Sequence, residues 1–84
     1  MEDKHIILGV KIHDRVKEAG EVQKTLTKYG CSIKTRLGLH EVSDDYCSSS
    51  GLVLLELTGP VEDQNKLHEE LLKIPGVITR KMEF

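Results

Sequence analysis

The sequence predicts an α+β fold of order β–α–β–β–α–β, a four-stranded antiparallel sheet with two helices on one face. Three observations carry this prediction. Apolar residues alternate with period two in short segments, as strands require. Two intervening segments repeat apolar residues at helical spacing. One strand is apolar on both faces, which marks it as central.

The first strand is HIILGVKIH, from His5 to His13. Ile6, Leu8, Val10 and Ile12 share one face, and Ile7, Gly9 and Lys11 share the other. Asp14 is the expected N-cap of the helix that follows, its carboxylate accepting from free first-turn amides. That helix is RVKEAGEVQKTLTKYG, with Val16, Ala19, Val22, Leu26 and Tyr29 as its apolar stripe. Gly20 is a mild defect inside it, and Gly30 is expected at the positive-φ position past its end.

The second strand, CSIKTRLGLHEV, alternates again. Read by period alone, Ile33, Thr35, Leu37 and Leu39 face the helices, and Lys34, Arg36, Gly38 and His40 face away. SDDYCSSSG has the composition of a turn. The third strand is GLVLLELTG, with Val53, Leu55 and Leu57 on one face and Leu52 and Leu54 on the other. The second helix follows in GPVEDQNKLHEELLKIPG. Pro60 suits its first turn, Glu62 and Asp63 suit its positive end, and Pro75 and Gly76 stop it. Leu67, Leu71 and Ile74 form its stripe, flanked by Leu72. VITRKMEF is the fourth strand and its period is ambiguous; one phase sets Val77 and Thr79 toward the helices and Ile78, Met82 and Phe84 away from them. Two interleaved strand–helix–strand halves of this kind make the ferredoxin-like sandwich, with strands one and three in the middle.

Length places all 84 residues, 1–84, in one domain with one modest core. Tyr29, Tyr46 and Phe84 are the only aromatics, so that core is aliphatic. A net charge of −2 and no aromatic stacking platform argue against direct nucleic-acid binding. No segment is long and apolar enough to span a bilayer, and the start has no signal-peptide pattern. Two cysteines, Cys31 and Cys47, are too few to staple a secreted mini-domain, so the expected setting is cytoplasmic with reduced thiols. Cys31 is expected to be semi-buried.

With both helices on one side, the other sheet face meets water or a partner. It is expected to carry Ile7, Gly9, Lys34, Arg36, Gly38, Leu52, Leu54, Ile78, Met82 and Phe84. Apolar residues on adjacent strands form a patch rather than scattered surface apolars. Ile7, Gly9, Arg36, Leu52, Leu54, Ile78 and Met82 are therefore the expected interface of a homodimer or higher homo-oligomer.

Three places bear on chemistry. His40 and Cys47 have the right atoms for a transition-metal pair, though not the spacing of a dense metal motif. His5 is expected at the same end of the sheet as His40, and His13 at the other. Asp44 and Asp45 are adjacent turn acids that point apart. His68 sits in HEELL, which lacks the second histidine of a helical zinc site. IHDRVK joins a central strand to a helix N-terminus, where backbone amides can hold a carboxylate. His13, Asp14 and Arg15 are the expected ligand-binding residues, against ordinary capping by Asp14. No nucleophile, base and orienting group fall into a catalytic order, so the chain is expected not to be an enzyme and to need no cofactor.

The opening KHIILGVKIHDR, the middle KYGCSIKTRLGLH, the strand GLVLLELTG and the ending LHEELLKIPGVITRKM resemble ACT-like regulatory domains. More closely, they resemble the short stand-alone regulators of the iron-only hydrogenase system, over nearly the whole chain. The resemblance implies a ferredoxin-like fold, self-association through sheets or edges, and a regulatory role near hydrogenase assembly. The layout is also similar to the metal-sensing C-terminal domain of the nickel-responsive repressor, whose ligands surround its second strand and hairpin. His40 and Cys47 stand in comparable places here, and Gly38 stands two positions before His40. The expectation is thus a non-enzymatic, oligomeric regulator sensing a small molecule between subunits. A transition-metal sensor using His40 and Cys47, and a structural oligomerisation domain, are the alternatives.

Overall fold

Ile6, Leu8, Val10 and Ile12 are buried and the residues between them are not, so β1 (Ile6–Ile12) gives one apolar face to the core. The computed structural model describes residues 5–13, 15–39 and 51–84. Within them α1 (Arg15–Lys28), β2 (Ile33–Leu39), β3 (Gly51–Leu57), α2 (Val61–Leu72) and β4 (Val77–Glu83) follow in order. The sheet order is β2-β3-β1-β4, all neighbours antiparallel. Strands one and three are central, as the doubly apolar GLVLLEL requires.

The core joins Ile6, Leu8, Val10, Ile12, Leu55 and Leu57 of the sheet to Val22 and Leu26 of α1 and Leu67 and Leu71 of α2. Leu8, Leu55, Leu67, Leu71 and Val10 are fully buried. Each contributes roughly 1.5–3 kcal/mol by leaving water. Leu72 is exposed, so the stripe of α2 is narrower than its leucines imply. The buried polar residue of that helix is Gln64, whose Nε2 donates to the carbonyl of Gly59 at 2.9 Å. Tyr29 is half-buried against the core. Lys28 Nζ reaches Glu70 at 3.3 Å and lies 5.4 Å from the Tyr29 ring, linking the helix ends.

Three local expectations are corrected. Gly30 opens a one-turn 3-10 helix, Gly30–Ser32, instead of a left-handed cap. Among the described residues the positive-φ positions are Gly59 and Gly76, at 82° and 83°. Both glycines flank α2, where the chain must turn between strand and helix. Cys31, in that 3-10 turn, is exposed rather than semi-buried. Pro60 is the N-cap of α2, one residue before the helix starts, and Glu62 and Asp63 lie in the first turn as expected.

The main correction concerns β2. Ile33 pairs with Leu57, but Thr35 pairs with Glu56, so two steps on β2 match one on β3. Lys34 is the extra residue of a β-bulge. Beyond it the strand's faces are exchanged relative to simple alternation. Arg36 pairs with Leu55 and Gly38 with Val53, which are helix-side residues, while Leu37 pairs with Leu54 on the other face. The Arg36 guanidinium accordingly donates to the Gln23 side chain on α1. Arg36 and Gly38 therefore leave the face on which alternation places them, and Leu37 joins it.

Candidate functional site

Opposed residues in antiparallel strands share a face, so the pairing registers define the side of the sheet away from the helices. Across β3, β1 and β4, one row holds Glu56, Ile7 and Met82. The next holds Leu54, Gly9 and Arg80, and the third Leu52, Lys11 and Ile78. On β2, Thr35 extends the first row and Leu37 the second. His5 and Phe84 exchange backbone hydrogen bonds beyond the first row, with their rings 5.9 Å apart.

This open face is largely apolar. Ile78 is 51% exposed, Leu37 52%, Met82 54% and Phe84 76%, values at which a side chain still has half or more of its surface to bury. Ile7 and Leu54 are half-buried between them, and Leu52 is exposed. Of the expected interface residues, Ile7, Gly9, Leu52, Leu54, Ile78 and Met82 lie on this face. Arg36 does not. Gly9 keeps the centre low: a Cβ there would lie 3.7 Å from Leu54 Cδ2. A depression of about 340 Å³ results, lined by Gly9, Lys11, Leu52, Ile78 and Arg80.

Polar groups divide the face along the strands. At one end, Thr35 Oγ1 donates to Glu56 Oε1 and His5 Nε2 bonds Glu56 Oε2, both at 2.7 Å. The Thr35 hydroxyl first, and His5 second, hold the Glu56 carboxyl below its ordinary range. A fixed anion therefore occupies that end. Arg80 stands in the middle row and Lys11 at the other end. Arg80 Nη1 donates to the carbonyl of Thr79 at 2.7 Å. Lys11 is exposed and has no ion-pair partner among the described residues.

The expected ligand and metal residues fare differently. His13 is exposed, and its backbone amide donates to Gly76 at 3.0 Å, so that amide is already engaged. Arg15 opens α1, and Asp14 lies outside the described residues. His40 and Cys47 also lie outside them. Among the described residues no group of three His, Cys, Asp or Glu side chains could hold a metal ion. The expected meeting of His5 with the end of β2 is overturned by the register. Both β1 and β2 run antiparallel to β3, so β2 ends at the end of the sheet where β1 leads into His13. His5 is engaged by Glu56 instead. His68 is more than a helix flank, because its Nε2 bonds Thr79 Oγ1 at 2.8 Å on β4. Burial first, then the Lys81 charge, push its pKa down.

No protein-family model and no curated protein sequence matches the chain. Solved structures do. The uncharacterized protein TM1266 from Thermotoga maritima has a TM-score of 0.79 at 23% identity, covering 98% of this chain and 99% of that one. The chain has the ferredoxin-like fold. CPII, a nitrogen regulatory PII-like protein from Thiomonas intermedia bound to ADP, AMP and bicarbonate, shares it with a TM-score of 0.61 at 11% identity, over 98% and 93% of the chains. The de novo designed protein Foldit4 shares it with a TM-score of 0.59 at 12% identity, over 96% and 97%. A designed protein among the neighbours makes plain that such likeness speaks for the fold, and that function rests on the site.

Proposed function

We propose that the chain is a non-enzymatic, cytoplasmic regulatory module of the ACT-like kind that self-associates through its open sheet face and senses a small ligand at the subunit boundary. The observation that carries this reading is the contiguous apolar surface of Ile7, Leu37, Leu52, Leu54, Ile78, Met82 and Phe84 on four adjacent strands. A monomer would leave this surface wet, whereas a second copy removes it from water without new sequence. The resemblance of KHIILGVKIHDR and LHEELLKIPGVITRKM to iron-only hydrogenase system regulators supports the finer role, control near hydrogenase assembly. The PII-like neighbour, bound to ADP, AMP and bicarbonate, supplies the first ligands to try. A metal-sensing reading would use His40 and Cys47, and the direction of β2 favours His13 over His5 as a third donor.

Native mass spectrometry of untagged protein, purified without chelator, tests the reading. A dimer or larger assembly is expected, and a monomer overturns it. ADP, AMP and bicarbonate are then added singly while the melting temperature is recorded. A ligand held at about 100 times its Kd adds about 2.7 kcal/mol of stability by mass action. An assembly indifferent to all three sinks these ligands and leaves a structural oligomerisation domain. A stoichiometric transition-metal adduct lost in Cys47→Ala replaces the proposal with the metal reading.

A further inference from the structure

The open face is polar in one direction, and that direction determines how two copies can meet. Its fixed anion, Glu56, lies in the row of Ile7 and Met82, with His5 beside it. Its cations, Lys11 and Arg80, lie in the two rows toward the other end. Lys11 and Glu56 are on neighbouring strands, four residues apart along β1, because Glu56 opposes Ile7. Successive residues in a strand rise about 3.3 Å, so the charges lie roughly 13 Å apart along the strands. That is too far for contact within one copy.

Two identical faces packed about 10 Å apart are related by a two-fold axis lying between them. Two orientations keep the strands aligned, as packed sheets prefer. An axis parallel to the strands keeps each end over the same end of the partner. It sets Lys11 near its own copy and Glu56 near its own copy, and it carries Arg80 on edge strand β4 over β2 of the partner. An axis across the strands reverses the ends. It brings each Lys11 to the end of the partner where Glu56 and His5 lie, so two opposite-charge contacts form against one meeting of Arg80 with its own copy in the middle row.

We infer that the partner of the open face is a second copy of this chain, related by a two-fold axis across the strands, with Lys11 of each copy facing Glu56 of the other. This rests on the proposed self-association. The apolar rows supply the burial, and the charges select the orientation. The Thr35 and His5 hydrogen bonds hold Glu56 in place on the open face, where its side chain is 22% exposed, so the pair needs little reordering.

The test is a charge swap followed by sedimentation velocity. Lys11→Glu and Glu56→Lys each place two like-charge contacts in their own dimer and are expected to weaken self-association on the order of tenfold or more. Mixing the two variants restores both contacts in a heterodimer, which is expected to recover to within about threefold of the wild type. Circular dichroism checks that each variant is folded. A second measurement needs no variant: added salt weakens the wild-type dimer if opposite charges meet, and strengthens it if like charges meet. Variants that assemble like the wild type, or a mixture no tighter than its parts, overturn the inference and leave self-association standing. A dimer strengthened by salt does the same. A monomeric wild type overturns both.

Discussion

Leu37 is the residue on which two readings of the second strand disagree most. Alternation puts it with Ile33 in the core; the bulge at Lys34 puts it opposite Leu54 on the open face. The comparison residue is Leu55, opposed to Arg36 one step along and 0% exposed. Leu37→Ala and Leu55→Ala remove the same atoms from the two faces of the same strand pair. Leu37 is 52% exposed. Folding thus withdraws about half of it from water, and full burial of a leucine contributes roughly 1.5–3 kcal/mol, so truncation costs about 1 kcal/mol. Leu55→Ala loses a fully buried side chain and leaves a cavity, at a cost of about 2–5 kcal/mol. For a domain of this size each kcal/mol moves Tm by roughly 4–8 °C. The assay is urea unfolding followed by circular dichroism, at protein concentrations low enough that any dimer has dissociated. The expected result is a clear separation of the two variants, with Leu55→Ala the more damaged. Equal losses would place Leu37 in the core and remove the bulge from the account.

Two other perturbations follow from the fold. His68 is held below its ordinary pKa of 6.5, chiefly by burial. The stability gained by keeping it neutral is therefore complete above pH 6.5 and is lost as the pH falls through the lowered value. Urea midpoints on either side of pH 6.5 are expected to fall with acid in the wild type, and to fall less in His68→Gln; parallel curves would remove His68 as the cause. Gly76→Ala forces a side chain into φ 83° between α2 and β4 and is expected to cost about 1–2 kcal/mol. An unchanged melting temperature in that variant would show that the turn is not left-handed.

Much of the fold was legible because β1 and β3 carry their information locally. Ile6, Leu8, Val10 and Ile12 alternate without interruption, and the apolar LVLL run marked a central strand. The phase of β4 was ambiguous in VITRKMEF, and pairing with β1 decides it, leaving Ile78 and Met82 outward. β2 was not legible, because a bulge changes phase without changing composition. IKTRLGL reads as one alternating strand, and nothing in it marks Lys34 as the extra residue. The face of Arg36 and Leu37 was lost with that phase. Gly30 carried the usual stop signal, yet the chain tightened into a 3-10 turn there. The site was hidden for another reason. His5 and Glu56 are 51 positions apart, and Thr35 and Glu56 are 21 apart, so only register brings them together. The same ignorance of register placed His5 at the wrong end of the sheet relative to the end of β2. Lys11 and Arg80 are 69 positions apart in sequence, and only the register of β1 with β4 places them on one face.

The central claim is that the open face is covered by another copy of the chain. Sedimentation velocity of the wild type and Met82→Asp at matched micromolar concentration tests it most directly. Met82 is 54% exposed, so the folded chain tolerates the change, while a carboxylate in an apolar contact between copies does not pair with its surroundings. The account predicts a dimer or larger species for the wild type and a monomer for the variant, with circular dichroism unchanged. A wild type that sediments as a monomer, or a variant that assembles as the wild type does, would contradict it.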